Sequence, residues 1–369
     1  MTEPEYLLVE QTPFDVERIS QILREADLIC TPVGIGEEGF DPYNLADYRV
    51  QERLHGDQGL FLLDLNVFRE VNSLHPEQTA DAGSHGKIAA AFMAFCIYAG
   101  IQLEPSLALQ EWFSPGETSK KARQLQLFRE LDRTDPALFA DLALGNATSL
   151  PRRSVPSMPK VSFPGAAEWP GGWHFDYTAL LKVAVLTLEG GKQRPSPAFA
   201  MERFLNWCWT DYLFSSPAIH FGGLYLSPLR EKRMFKSLWS GDRQKAIAGV
   251  QNATWDLTYL RGWASRALKQ QNSDSLNFFC SLDKGLRESG RELLALGGEA
   301  TLEEQVAPWK RLWGDRDGQR LFEVYFDLAS RQEDPARSWP PGKAAREKRA
   351  EELKQELEDD LIRLGGGTC

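Results

Sequence analysis

The stretch Phe61-Leu62-Leu63-Asp64-Leu65-Asn66-Val67-Phe68 constrains this chain more than any other part of it. A short apolar run between turn signals reads as a buried strand. Gly59 precedes this run, and the polar residues Arg69, Glu70, Asn72 and Ser73 follow it. The strand predicted at 60–64 therefore ends in a carboxylate. In open α/β sheets, ligands bind outside the carboxyl ends of the strands, and an aspartate there suits a hard divalent cation. Aspartate is also a good helix cap. Position alone thus leaves two readings for Asp64, a ligand or the cap of a helix starting near Asn66. Convergence of further carboxylates on the same edge would decide between them.

The bulk properties narrow the class. A chain of 369 residues holds one large or two ordinary domains. The net charge of -10 argues against a body coated in basic surface for nucleic acid, although it allows a local basic groove. The five cysteines are widely spaced without a CxxC pair, so a zinc site is not expected. The histidines show no HxxxH spacing. Met1 to Glu10 is acidic and lacks a long apolar stretch, and the run from Ile88 to Ile101 is too short to span a bilayer. The expectation is a cytoplasmic protein with reduced thiols and no membrane contact.

Along the chain, residues 15–24 have helical apolar spacing, and 31–48 reads as loop. The segment 85–99 is a strong helix ended by Gly100. Residues 101–103 read as a second strand, and Pro105 opens a helix that carries Glu111. Helices are predicted at 119–132, 135–144, 174–189, 197–214 and 227–239, around a loop from Pro151 to Pro170 with too many prolines for regular structure. A long helix at 244–270 carries Asp256, and a strand at 276–281 leads to Asp283. Helices follow at 284–296 and at 343–364, the latter charged and either solvated or packed on a partner helix.

Four carboxylates fall in a telling order. Asp64 ends the first strand, with Asn66 two residues on. Glu111 lies on the helix after the second strand, in Leu107-Ala108-Leu109-Gln110-Glu111. Asp256 lies on a helix before a later strand, in Thr254-Trp255-Asp256-Leu257. Asp283 follows that strand, in Ser281-Leu282-Asp283. The order and local context resemble the PIN (PilT N-terminus-like) domain family. That resemblance covers about 59–113 and 245–297. It implies a three-layer α/β/α fold with a mainly parallel central sheet, carrying a large helical insertion at 114–244 and a helical C-terminal extension at 298–369, after an N-terminal segment at 1–58. The span between Glu111 and Asp256 is longer than in compact members, and Asp176, in His174-Phe175-Asp176-Tyr177, competes with Asp256 for the third position.

The resemblance implies a nuclease whose metal ligands and catalytic groups are Asp64, Glu111, Asp256 and Asp283, with Asn66 and Ser281 orienting them. Four converging carboxylates would raise one another's pKa unless a cation neutralised them. All-oxygen ligands favour Mg²⁺ or Mn²⁺, and such an ion acidifies a bound water and stabilises charge on a phosphate. The expected substrate is RNA more than DNA, with a DNA-directed or structure-specific nuclease as a variant. Lys120, Lys121, Arg152, Arg153, Arg230 and Arg233 are candidate substrate contacts within the insertion. Charge runs are more often solvated helix faces. The other reading is a catalytically silent scaffold that binds RNA or a protein partner, or a homo-oligomer, in which the four carboxylates are caps and ion pairs that never meet.

Overall fold

A computed structural model describes residues 12–32, 40–78, 85–113, 116–159, 170–189, 196–228, 234–267, 275–295, 301–331, 334, 340 and 342–364. The chain is α/β and falls into two compact units, one of residues 1–165 and 272–283, the other of 166–271 and 284–369.

The first unit is built on a four-stranded mixed sheet. Its strands are β1 (Ile29–Cys30), β2 (Gln58–Leu63), β3 (Gln102–Glu104) and β4 (Ser275–Cys280), in the order β1-β4-β2-β3. β2 runs parallel to both of its neighbours, β3 and β4, while β1 is an antiparallel edge. Leu63 pairs with Cys280, so the residues that follow them, Asp64 and Ser281, emerge side by side. The helices of this unit are α1 (Val16–Ala26), α2 (Leu45–His55), α3 (Leu65–Ser73), α4 (Gly86–Ala99), α5 (Ser106–Trp112), α6 (Thr118–Leu131) and α7 (Pro136–Leu144).

The core of this unit follows from the sequence. Alternate residues of a strand face one side, and Phe61, Leu63, Phe278 and Cys280 join one buried cluster with Ile19 and Leu23 of α1 and Phe92 and Phe95 of α4. The alanines of α4 let helices approach closely, and α1, α3 and α7 all pack on it. The aromatic rings of Tyr48, Phe61, Phe95 and Phe278 meet in edge or tilted contacts 5.1–6.1 Å apart, a geometry that adds to simple burial.

The second unit is helical among the described residues: α8 (Trp173–Glu189), α9 (Pro197–Thr210), α10 (Ser216–Leu226), α11 (Arg243–Ala267), α12 (Lys284–Ala295), α13 (Leu302–Trp313), α14 (Asp315–Ser330) and α15 (Lys343–Leu364). α8 is its apolar centre, buried along most of its length and packed against α9, α10, α11 and α15. Tyr177 of α8 donates to Glu358 of α15 at 2.7 Å. The charged helix α15 thus docks by its Ala350, Leu353, Leu357 and Leu361 stripe.

The division differs from the one expected. Residues 114–244 are not one insertion: α6 and α7 pack on α3, α4 and α5 of the sheet-bearing unit. α11, expected in the α/β core, belongs to the helical unit because its buried face meets α8. The segment 1–58 is not a preface, since it supplies β1, α1 and α2 to the sheet-bearing unit. The helix expected at 227–239 is absent over its described part. Ser237 there has φ 59°, and the chain turns. Among the described residues no helix is long and apolar enough to cross a membrane.

Candidate functional site

The carboxyl edge of the parallel strands carries the candidate site. The ladder continues one residue past each strand: Asp64 N donates to Cys280 O at 3.0 Å, and Ser281 N donates to Leu28 O at 3.0 Å. Asp64 is also the N-cap of α3. Its Oδ1 accepts from Val67 N at 2.8 Å, so the cap reading of this residue is realised. Its other oxygen does something a cap does not need. Oδ2 accepts a hydrogen bond from the hydroxyl of Ser281, and Ser281 Oγ accepts from Asp283 N at 2.9 Å. Asn66 Nδ2 stands 3.5 Å from Oδ2. One buried serine therefore ties the two motif aspartates together across the strand ends.

The two carboxylates differ in setting. Asp64 is 2% exposed, and Asp283 is exposed. Burial pushes the Asp64 carboxyl up to about 6, against the hydrogen bonds from Ser281 and Val67, and the Asp283 charge adds to the rise. Such a carboxyl is mostly ionised at neutral pH and takes up its proton about one pH unit lower. Groups perturbed this way concentrate at functional sites, though structural networks also produce them.

Asp283 and Asn66 open onto a cleft of about 640 Å³. Its wall includes Arg69, Glu70, Asn72 and Ser73 of α3, together with Gln78, His85, Trp112 and Leu282. Residues three and four apart share a helix face, so Asn66, Arg69 and Ser73 form one row along α3. Arg69 is the one guanidinium on this wall among the described residues, and it lies over the Trp112 ring, 5.3 Å from its centroid.

Not every expected residue joins this site. Glu111 is half-buried near the end of α5 and does not line the cleft. Asp256 is half-buried on α11 and belongs to the other unit. Asp176 belongs there too, and its carboxylate is committed to Arg261 Nε at 2.8 Å. Among the described residues, no three His, Cys, Asp or Glu side chains are grouped to hold a metal ion. Of the four expected carboxylate residues, Asp64 and Asp283 are linked, through the hydroxyl of Ser281.

Asp64 and Asp283 would offer carboxylate oxygens to a cation. Mg²⁺ commonly keeps several waters and takes only one or two protein carboxylates. The pair, with Asn66 beside it, fits that mode.

The expected basic contacts stand elsewhere. Lys120 is exposed and paired with Glu117 at 2.5 Å, Lys121 is buried, and Arg152 and Arg153 are exposed on a short 3₁₀ turn. None of these lines the cleft. Arg230 and Arg233 lie outside the described residues. Sequence reasoning passed over Arg69, Asn72, His85 and Trp112. The signal for Arg69 was its place one turn past Asn66 on the helix that Asp64 caps.

No known protein family, characterised protein or solved structure matches this chain.

Proposed function

We propose that this chain hydrolyses phosphodiester bonds in nucleic acid, RNA before DNA, at the carboxyl edge of its sheet and with the help of Mg²⁺ or Mn²⁺. The observation that carries the reading is the Asp64–Ser281–Asp283 linkage beside a polar cleft. The strand order supports it. The strand ending at Asp64 is central, flanked by the strands that lead to α5 and to Ser281, in keeping with the PIN-like arrangement.

Each residue has a task in this account. Asp283, exposed on the wall, faces the phosphate and its attacking water. Ser281 holds the Asp283 backbone and fixes the Asp64 carboxylate. Asn66 orients a carboxylate or the water, and Arg69 offers positive charge on the same wall. A divalent cation held by Asp64 and Asp283 would supply a more acidic water and neutralise charge on the phosphate.

A specific observation also favours a second reading. Among the described residues no three His, Cys, Asp or Glu side chains are grouped to hold a metal ion, so the edge could bind nucleic acid without cutting it. Thermal melting with and without Mn²⁺ separates the two. A ligand that binds the native state raises its stability as ln(1 + [L]/Kd). The hydrolytic reading expects a saturable rise in wild type that Asp283→Asn loses. A wild-type protein indifferent to Mn²⁺ would favour the silent scaffold.

A further inference from the structure

The wall of the cleft holds a charge with no ion-pair partner among the described residues. Arg69 is exposed on α3, and among the described residues its guanidinium makes no hydrogen bond or ion pair. It lies instead over the face of Trp112. That ring is itself fixed, stacked on Phe113 at 5.2 Å and met edge-on by Phe68 at 5.8 Å. Burying a guanidinium's flat face on an aromatic ring orients its N–H edge while leaving the donors free. A planar fork of unpaired donors suits an oxyanion, phosphate above all.

The setting argues for one step of a polyanion. Arg69 follows Asn66 by three residues, which is about 4.5 Å along a helix axis, and both line the cleft. The anion held by Arg69 would therefore lie next to, and not on, the group facing Asp283.

A second observation at the same wall points to a ligand. Asn72 is 1% exposed. Its amide nitrogen donates to Gln124 O at 3.2 Å and to Gln124 Oε1 at 3.1 Å. Both partners are acceptors, so the amide orientation is fixed, and its Oδ1 is buried without a donor. An unsatisfied buried acceptor costs free energy. Asn72 sits one turn from Arg69 on the same helix, where the sugar hydroxyl or base amine of a bound nucleotide could donate to it.

We propose that Arg69, backed by Trp112, is a phosphate anchor that holds the nucleotide neighbouring the reacting one. The inference rests on the hydrolytic site proposed above and names its substrate as a chain with adjacent phosphates, in preference to a mononucleotide or a phosphomonoester. The anchor reads backbone charge and not base identity.

The test is binding of a fluorescently labelled single-stranded RNA and of a labelled mononucleotide, by anisotropy in EDTA over a KCl series. Wild type, Arg69→Gln and Arg69→Lys are compared. A contact to one phosphate of a single strand contributes about 0.7 to the slope of log K against log salt. Arg69→Gln is expected to weaken RNA binding about tenfold on every sequence and to reduce that slope by about 0.7. Arg69→Lys is expected to keep the slope with weaker binding, because lysine offers a point charge without the fork. The mononucleotide should bind far more weakly than the RNA. An unchanged slope and affinity in Arg69→Gln, or no RNA binding by wild type, would overturn the anchor. The two proposals fail separately. Arg69-dependent binding without any cleavage in Mn²⁺ leaves the anchor and removes hydrolysis, while cleavage with a KM indifferent to Arg69→Gln removes the anchor and leaves hydrolysis.

Discussion

Replacing Asp64 with asparagine should make the protein more stable, and only above a particular pH. The Asp64 carboxyl is held up from 3.8 to about 6, chiefly by burial. Because its pKa is higher in the native state, the native state binds that proton more tightly than the unfolded chain does. The stability this confers is fully present below about pH 4. It is lost as pH rises through about 6, and above that the buried charge is a net cost. A shift of about two units corresponds to about 3 kcal/mol. Asparagine carries no charge, its carbonyl can still accept from Val67 N, and it is as good a helix cap as aspartate. It cannot accept from both Val67 N and Ser281 Oγ through two oxygens, a loss of about 1 kcal/mol. The net expectation is a gain of about 2 kcal/mol at pH 8, or about 4–8 °C in the melting transition of a domain of this size. At pH 4 the gain should vanish or reverse slightly. Calorimetric melting of wild type and Asp64→Asn at pH 4, 6 and 8 without divalent cations measures it. A variant no more stable than wild type at pH 8, or a difference independent of pH, would refute the reasoning. The gain matters for function, because a site residue that destabilises the fold is kept for what it does.

Other consequences fall in the helical unit. His220 is held down to about 4 by burial and by the charge of Arg311. The unfolded chain therefore takes up this proton first, and stability should fall from pH 6.5 toward 4 by up to about 3 kcal/mol. His220→Phe should flatten that acid limb relative to wild type in melting measurements. Arg261→Met should cost about 3 kcal/mol in a denaturant titration, because it leaves the buried Asp176 carboxyl without its partner. Asp176→Asn in the same background should recover part of the loss. Gly249→Ala should destabilise by about 3 kcal/mol or fail to fold, since its Cβ would meet the Lys236 carbonyl oxygen at 1.7 Å. An alanine variant with wild-type melting would mean that α11 can shift off that turn.

How far the sequence could be read depended on the length of each signal. The strand before Asp64, the alanine-rich α4 and the strand before Ser281 were legible because each is a mainly apolar run with a clear stop. β1 spans only Ile29–Cys30, too short for any alternation to register. α2 was read as the end of a loop because its apolar pattern is weak and it follows glycines and prolines; only its Asn44 cap, accepting from Ala46 N at 3.1 Å, marks it. α10 was missed because Gly222 and Gly223 suggest a turn. In the structure Gly222 serves packing, since a Cβ there would meet the Phe204 ring at 2.6 Å.

The candidate site was legible in part for the same reason. Asp64, Asn66, Ser281 and Asp283 sit next to strand ends, where local sequence dictates position. Glu111 and Asp256 lie on helices, and their direction depends on packing that no local pattern records. The helix that carries Asp256, α11, packs by its buried face on α8 of the helical unit. Lys120, Lys121, Arg152 and Arg153 do not line this cleft, since charge density along a chain says little about which cleft a side chain lines. Arg69, alone among its neighbours, carried no such density.

The central claim is that the Asp64–Ser281–Asp283 linkage is hydrolytic. It is tested most directly by incubating labelled single- and double-stranded RNA and DNA with wild type, Asp64→Asn and Asp283→Asn, in Mn²⁺ and in EDTA. The account predicts cutting by wild type in Mn²⁺, strongest on single-stranded RNA, absent in EDTA and lost in both variants while each melts as a folded protein. Cutting that survives in both folded variants, or no cutting of any substrate by wild type, would contradict it.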